Sequence, residues 1–245
     1  MFERQKHNLT KVVGFYGINK ILNDFNAIIA GGAVRATFAR EFVSDYDIFL
    51  RTFDDFTGFN MRLRADDHKS AFETDNTISY VIKDKKFQVI KGFMFADYDP
   101  NDNANFAKAI IDNFDFTVCM AAYDYFTGWF ELNPLFLEHL AAKSLVYNIQ
   151  GKYPLASLFR LRKYLKKGYT ISGTEIIKLG LKVNNLNMSN YRELKEQLQG
   201  IDTAFLQELT VALMTPEYKD KEYDFQHFME MLNTYMDDVL DGIHE

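Results

Sequence analysis

Apolar positions change period several times along this chain, and each change predicts an element. Val12, Phe15, Ile18, Leu22 and Phe25 recur at three- and four-residue steps, which predicts one amphipathic helix over 9–25. The run Ile28-Ile29-Ala30 predicts a short buried strand that stops at Gly31-Gly32. Residues 33–40 fit a helix. Residues 44–50 then alternate as a second strand, with Tyr46, Ile48 and Leu50 towards the core and Asp45 and Asp47 together on the other face. Phe53, Phe56 and Phe59 predict a helix over 53–63, and the polar stretch 62–76 predicts a loop. Residues 77–82 and 87–90 flank Lys83-Asp84-Lys85-Lys86 and predict a β-hairpin.

The second half reads differently. A helix over 103–113 leads into the apolar segment 113–124, and a strand over 129–132 returns across Thr127-Gly128. Asn133 caps a helix with Pro134 at its first position, extending to about Tyr147. After Gly151 the pattern is helical throughout, over 155–168, 174–183, 190–198, 203–214 and 224–240. The expected architecture is α+β: a mixed β-sheet flanked by helices over 1–150, then an all-helical region over 151–245.

Composition sharpens this picture. The chain has 245 residues and is 47% hydrophobic, enough for a sizeable core. No apolar run reaches the length of a membrane span, and the N-terminal residues lack a signal-peptide core, so a cytoplasmic protein is expected. The single cysteine, Cys119, forbids an intrachain disulfide and fits a reducing compartment. His7, His68, His139, His227 and His244 have no Cys or His partner at ligand spacing, so no zinc site is expected. Phe225, Phe228, Met229, Leu232 and Met236 repeat at helical spacing and read as packing. Net charge is −6, which excludes an overall basic coat. The charge is segregated, however. Lys152, Arg160, Arg162, Lys163, Lys166, Lys167, Lys178 and Lys182 face one acid, Glu175, over 151–182, whereas acids dominate 201–245. Such segregation fits a surface that meets an anion, or a solvated helix face balanced by an acidic tail.

The chemistry concentrates in 28–50. Two carboxylates two residues apart on a rigid strand can share divalent cations. A glycine pair at a strand-to-helix turn lets backbone N–H groups approach a phosphate. These are the parts needed to hold a metal-bound nucleoside triphosphate; the plainer reading is a turn and two exposed aspartates. The order Gly31-Gly32-Ala33-Val34-Arg35, then Ser44-Asp45-Tyr46-Asp47, resembles the polymerase-beta-like nucleotidyltransferases, and most closely the head of the tRNA nucleotidyltransferase (CCA-adding) and bacterial poly(A) polymerase branch. Asp115-Phe116-Thr117 followed by Ala122-Tyr123-Asp124 resembles the second motif of that branch at equal spacing. Residues 155–168 resemble its neck motif with one residue deleted, so the resemblance covers about 25–170.

The resemblance implies a transferase that moves a nucleoside monophosphate from an NTP to an acceptor hydroxyl, with an RNA or tRNA 3′ end as the first acceptor. Asp45 and Asp47 would hold two Mg²⁺ ions. Gly31 and Gly32 would offer N–H groups to the phosphates, and Arg35, Asp115, Arg160 and Lys163 would complete the nucleotide site. The sequence also departs from the pattern. Gln88 stands where the wider superfamily often has a third acid, and Asp84, Asp97 and Asp99 read as solvated loop acids. Ala36 replaces an acid, and Asn113 and Phe114 replace two arginines. Pro154 and Ser157 replace the base-reading Asp–Arg pair. These departures keep two other readings open: transfer to a protein or small-molecule acceptor, and a catalytically silent module that binds nucleotide or RNA.

Overall fold

The computed structural model describes residues 2–74, 76–94, 105–186, 196–197 and 226. The chain divides into two compact units, Met1–Lys152 and Tyr153–Glu245.

The first unit is built on a seven-stranded mixed sheet. Its strands are β1 (Ile28–Ala30), β2 (Asp45–Leu50), β3 (Ser70–Glu73), β4 (Thr77–Ile82), β5 (Lys85–Lys91), β6 (Ala121–Asp124) and β7 (Trp129–Leu132). They lie in the order β3-β4-β5-β2-β1-β6-β7. All neighbours are antiparallel except β2 and β5, which run parallel. β1 is an interior strand between β2 and β6, and Ile28, Ile29 and Ala30 are fully buried, as a short apolar run covered on both faces should be. The helices of this unit are α1 (Glu3–Phe15), α2 (Asn19–Asp24), α3 (Gly32–Ala39), α4 (Phe53–Ala65), α5 (Phe106–Ile111) and α6 (Phe136–Ala142).

Two apolar clusters fill the two faces of the sheet. Leu9, Val13, Ile21 and Leu22 pack with Tyr46, Ile48 and Leu50 on one face. On the other, Phe106, Ile110 and Ile111 of α5 join Ile28, Ala30, Phe49, Ile90 and Ala122. This second cluster covers only part of its face. Towards the N-terminal end of β2, Asp45 and Asp47 are only partly buried, so the same face that is core at Phe49 opens at the carboxylates.

Several expectations need correction. The single helix over 9–25 is two helices, because Gly17 adopts φ 84° and interrupts the helical backbone between them. The buried stripe is consequently Leu9 and Val13, then Ile18, Ile21 and Leu22, while Val12 and Phe15 are exposed. The stretch expected to be a loop over 62–76 extends α4 to Ala65 and then forms the edge strand β3. The β4–β5 loop is shorter than expected: Lys83 turns at φ 59° and Lys85 already belongs to β5. The helix after Asn133 ends at Ala142 rather than Tyr147, capped by Lys143 at φ 49°. Its start also differs: the helix begins at Phe136 with Leu135 at its N-cap, and Asn133 accepts from the Leu135 N–H at 3.0 Å in the turn that precedes it.

In the second unit, α7 (Pro154–Lys166) and α8 (Gly173–Asn184) are described. Pro154 occupies the first turn of α7. Ser172 caps α8 by accepting from the Glu175 N–H. The helices expected over 190–198, 203–214 and 224–240 lie outside the described residues, as do Asp97 and Asp99, apart from residues 196–197 and 226.

Candidate active site

The register of the sheet assembles the site. Asp47 pairs with Ala30 on one side and Gln88 on the other; Gln88 pairs with Ser79, Ala30 with Ala122, and Ala122 with Glu131. Paired residues share a face, so Ser79, Gln88, Asp47, Ala30, Ala122 and Glu131 form one row across six strands. One step along β2, Asp45 pairs with Lys86 on that same face. Ala30 and Ala122 give the row a low floor beside Asp47. The Ser44 hydroxyl hydrogen-bonds the Asp45 carboxylate.

At the end of β1 the chain turns sharply into α3. Gly31 adopts φ 72° and ψ −130°, a conformation closed to other residues. A Cβ there would lie 3.4 Å from the Phe114 ring and 3.7 Å from Asp47 Oδ2. Gly31, Asp47 and Phe114 therefore meet at one point. The Gly31 N–H donates to the Ala121 carbonyl at 2.9 Å, continuing the β1–β6 ladder. The pair expected to donate two N–H groups thus divides its work: Gly31 makes the turn, and Gly32 opens α3 as its first residue, where N–H groups lack intrahelical partners. Nothing lies within 4 Å of a Cβ built on Gly32, so the approach to that helix start is open.

The other expected site residues are placed as follows. Arg35 is buried in α3, and its guanidinium pairs with Glu41 at 2.8 Å. Asp115 is buried; its Oδ1 accepts from the Phe116 N–H at 3.0 Å and its carbonyl from the Asn148 N–H at 2.7 Å. Its charge helps push the nearby Tyr147 hydroxyl up to about 12, after the larger effect of burial. Arg160 and Lys163 lie on α7 of the second unit, the former half-buried and the latter exposed. Ser157, at a base-reading position of the resembled neck, is fully buried and its hydroxyl donates to the Tyr153 carbonyl at 3.1 Å. No group of three or more His, Cys, Asp or Glu side chains able to hold a metal occurs among the described residues.

Two residues at the site were not singled out by sequence reasoning. Phe114 was read as a lost arginine; it is an aromatic wall, 6.0 Å from the Phe49 ring and against the glycine turn. Lys86 was read as loop; the parallel register sets it beside Asp45. Its two-residue spacing from Gln88, equal to that between Asp45 and Asp47, was the available signal.

The model of the Gabija anti-defense 2 family matches residues 3–143, more than half of the chain and all of the sheet. The chain belongs to the Gabija anti-defense 2 family. It is 32% identical over 228 residues to "Gabija anti-defense 2" of Bacillus phage SPbetaL7, a match covering 89% of this chain and 55% of that protein. The chain thus spans about half the length of that relative. Among solved structures, this Gabija anti-defense 2 family chain is similar to a CCA-adding enzyme with ATP, at TM-score 0.57 and 14% identity over 83% of this chain and 51% of that one. It is also similar to the Thermotoga maritima CCA-adding enzyme complexed with tRNA, at TM-score 0.53 and 15% identity over 82% of this chain and 50% of that one. The shared feature is the nucleotidyltransferase-like fold. No helix among the described residues is long and apolar enough to cross a membrane.

Proposed function

We propose that this chain is a divalent-metal-dependent nucleotidyltransferase that acts against the Gabija defence by moving a nucleoside monophosphate from an NTP to an acceptor hydroxyl. The observation that carries this reading is the meeting of Asp47 with the Gly31 turn, 3.7 Å from a Cβ built there, next to the open start of α3. Asp45 and Asp47 fit Mg²⁺, which takes hard oxygen ligands and typically only one or two protein carboxylates, the rest coming from substrate phosphates and water. These two residues would hold two such ions. Bound there, they would activate the acceptor hydroxyl and stabilise charge on the departing pyrophosphate.

The protein's own contribution is positioning and electrostatics. Gly32 offers its N–H to a phosphate at the start of α3. The β2 backbone, fixed by Tyr46, Ile48 and Leu50 in the core, keeps both carboxylates on one face. Phe114 walls the site beside Gly31 and shields it from water. Asp115 shapes the segment that carries Phe114. Arg160 and Lys163, on α7 of the second unit, supply positive charge for an RNA backbone.

An RNA or tRNA 3′ end is the acceptor favoured by the fold shared with CCA-adding enzymes. A protein or small-molecule acceptor is the second reading, favoured by Ser157: buried and engaged with Tyr153, it cannot read a base. Incubation of the protein with each labelled NTP, Mg²⁺ and an extract of Gabija-bearing cells tests both, beside an Asp45→Ala/Asp47→Ala control. Label on RNA that requires the aspartates supports the first acceptor, and label on a protease-sensitive species supports the second. Binding of NTP without any transfer would instead support the silent module and overturn the enzymatic reading.

A further inference from the structure

A triphosphate beside two carboxylates needs positive charge, and the three places within the first unit where the sequence pattern leads one to look for it are otherwise engaged. Arg35 is paired with Glu41 at 2.8 Å inside the protein. Asn113 replaces one arginine, and its amide donates to the Ala109 carbonyl at 2.8 Å. Phe114 replaces the other and lies against the Gly31 turn. The remaining arginine of the sheet region, Arg51, is bound to Asp124 at 2.6 Å.

The sheet supplies a cation by another route. β5 is parallel to β2, and Lys86 is the register partner of Asp45 just as Gln88 is that of Asp47. Parallel partners sit side by side on one face, about 4.8 Å apart. Lys86 is half-buried there, and its flexible four-carbon stem gives its ammonium a reach longer than the strand spacing. The other lysines of β5 lie on the opposite face. Lys85 turns to the opposite face, where its ammonium lies 3.4 Å from the centre of the Phe42 ring. Lys91 lies over the Phe56 ring. Among the described residues of β2 and β5, Lys86 is the cation on the carboxylate face.

We propose that Lys86 binds the β- and γ-phosphates of the NTP and neutralises the leaving pyrophosphate, a charge role moved from the missing arginines onto the strand beside Asp45. The assignment rests on the nucleotidyl-transfer reading above. In the transfer step the acceptor oxygen bonds to the α-phosphorus, the bond from that phosphorus to the bridging oxygen breaks, and the electron pair leaves with pyrophosphate. The acceptor proton passes to solvent. Lys86 meets the charge that accumulates on the leaving group.

The test compares binding of NTP, NMP and inorganic tripolyphosphate, with Mg²⁺, to the full chain and to its Lys86→Met, Lys86→Gln and Lys86→Arg variants, by calorimetry. Thermal melts of each variant accompany it. Loss of a charge-assisted phosphate contact weakens NTP and tripolyphosphate about tenfold or more in the Met and Gln variants. NMP binding stays unchanged, and Arg restores most of the NTP affinity. Equal weakening of NTP and NMP would assign Lys86 a structural role and overturn the proposal, as would wild-type NTP affinity in both neutral variants. Failure of the unmodified chain to bind any NTP would overturn the nucleotidyl-transfer reading itself, a result distinct from either.

Discussion

Gln88 lies directly opposite Asp47 across the parallel β2–β5 pair, at the position from which a third carboxylate would share the metal ions. An amide is a weaker ligand than a carboxylate for a hard cation, because it brings an oxygen dipole without a net charge. Under the proposed metal-dependent transfer the site would rely on two carboxylates, and Gln88 is expected to matter little as a ligand. Gln88→Ala should keep transfer within about threefold of wild type, whereas Asp47→Ala should lose more than the ~100-fold typical of removing an outer-shell metal partner. Gln88→Glu should lower the Mg²⁺ concentration needed for half-maximal activity. A metal titration of the four proteins checks all three expectations, and a large loss in Gln88→Ala would make the amide a working part of the site.

The two glycines of the turn should fail for different reasons. Gly31→Ala forces a side chain into φ 72°, ψ −130° and against both Phe114 and Asp47. It should destabilise the fold by about 1–3 kcal/mol, read by chemical denaturation. Gly32→Ala meets no neighbour within 4 Å and replaces a poor helix former. Stability should hold or rise by as much as ~1 kcal/mol, yet the methyl group occupies the approach to the helix start. NTP affinity should fall while the melting curve does not. A Gly32→Ala protein with unchanged NTP binding would remove the phosphate from the start of α3.

Much of this site is legible in residue order because strand periodicity is local. Asp45-x-Asp47 fixes two carboxylates on one face whatever the strand pairs with, and Gly31-Gly32 marks the turn before the helix. Pairing partners are not local. That Lys86 meets Asp45 follows only from a parallel register between strands separated by α4 and two further strands. The broken first helix shows another limit: Val12 and Phe15 have helical spacing with Ile18, but Gly17 at φ 84° ends that spacing, so periodicity alone joined two short elements. β3 was missed because, as a partly exposed edge strand, it alternates weakly. Arg35 was read as facing phosphate from its place in the motif, and nothing in residue order announced its pairing with Glu41.

Arg51 and Asp124 form a buried ion pair at 2.6 Å that ties the end of β2 to the end of β6. The guanidinium also donates through Nε to the Asn26 carbonyl at 3.1 Å and lies 4.9 Å from the centre of the Phe106 ring. Asp124 Oδ1 further accepts from the Phe126 N–H at 2.9 Å. Removal of one partner strands the other charge in the core, so Arg51→Met and Asp124→Leu should each cost about 3–5 kcal/mol. The double variant should recover part of that loss, since no lone charge is left. Urea denaturation of the three proteins as a double-mutant cycle measures the coupling, and strictly additive losses would show that the pair itself contributes nothing.

Glu131 ends the row that begins at Ser79, three strands from Asp47, and its carboxyl titrates above the usual range. Burial is the main cause; the charges of Asp112 and Asp124 raise it further, and Lys108 acts the other way. The folded state therefore favours the protonated acid more than the unfolded chain does. That preference contributes fully below the unfolded value of 4.5 and is lost as pH rises through the higher folded value. At neutral pH an ionised Glu131 is a burden on the fold, which Glu131→Gln removes while keeping shape and polarity. The variant should melt measurably higher than wild type at pH 7. At pH 4, below the unfolded value, the acid is mostly protonated in folded and unfolded chains alike, so the two curves should draw together. A gain that persists undiminished at pH 4 would trace the effect to packing of the amide and not to the titration of the acid.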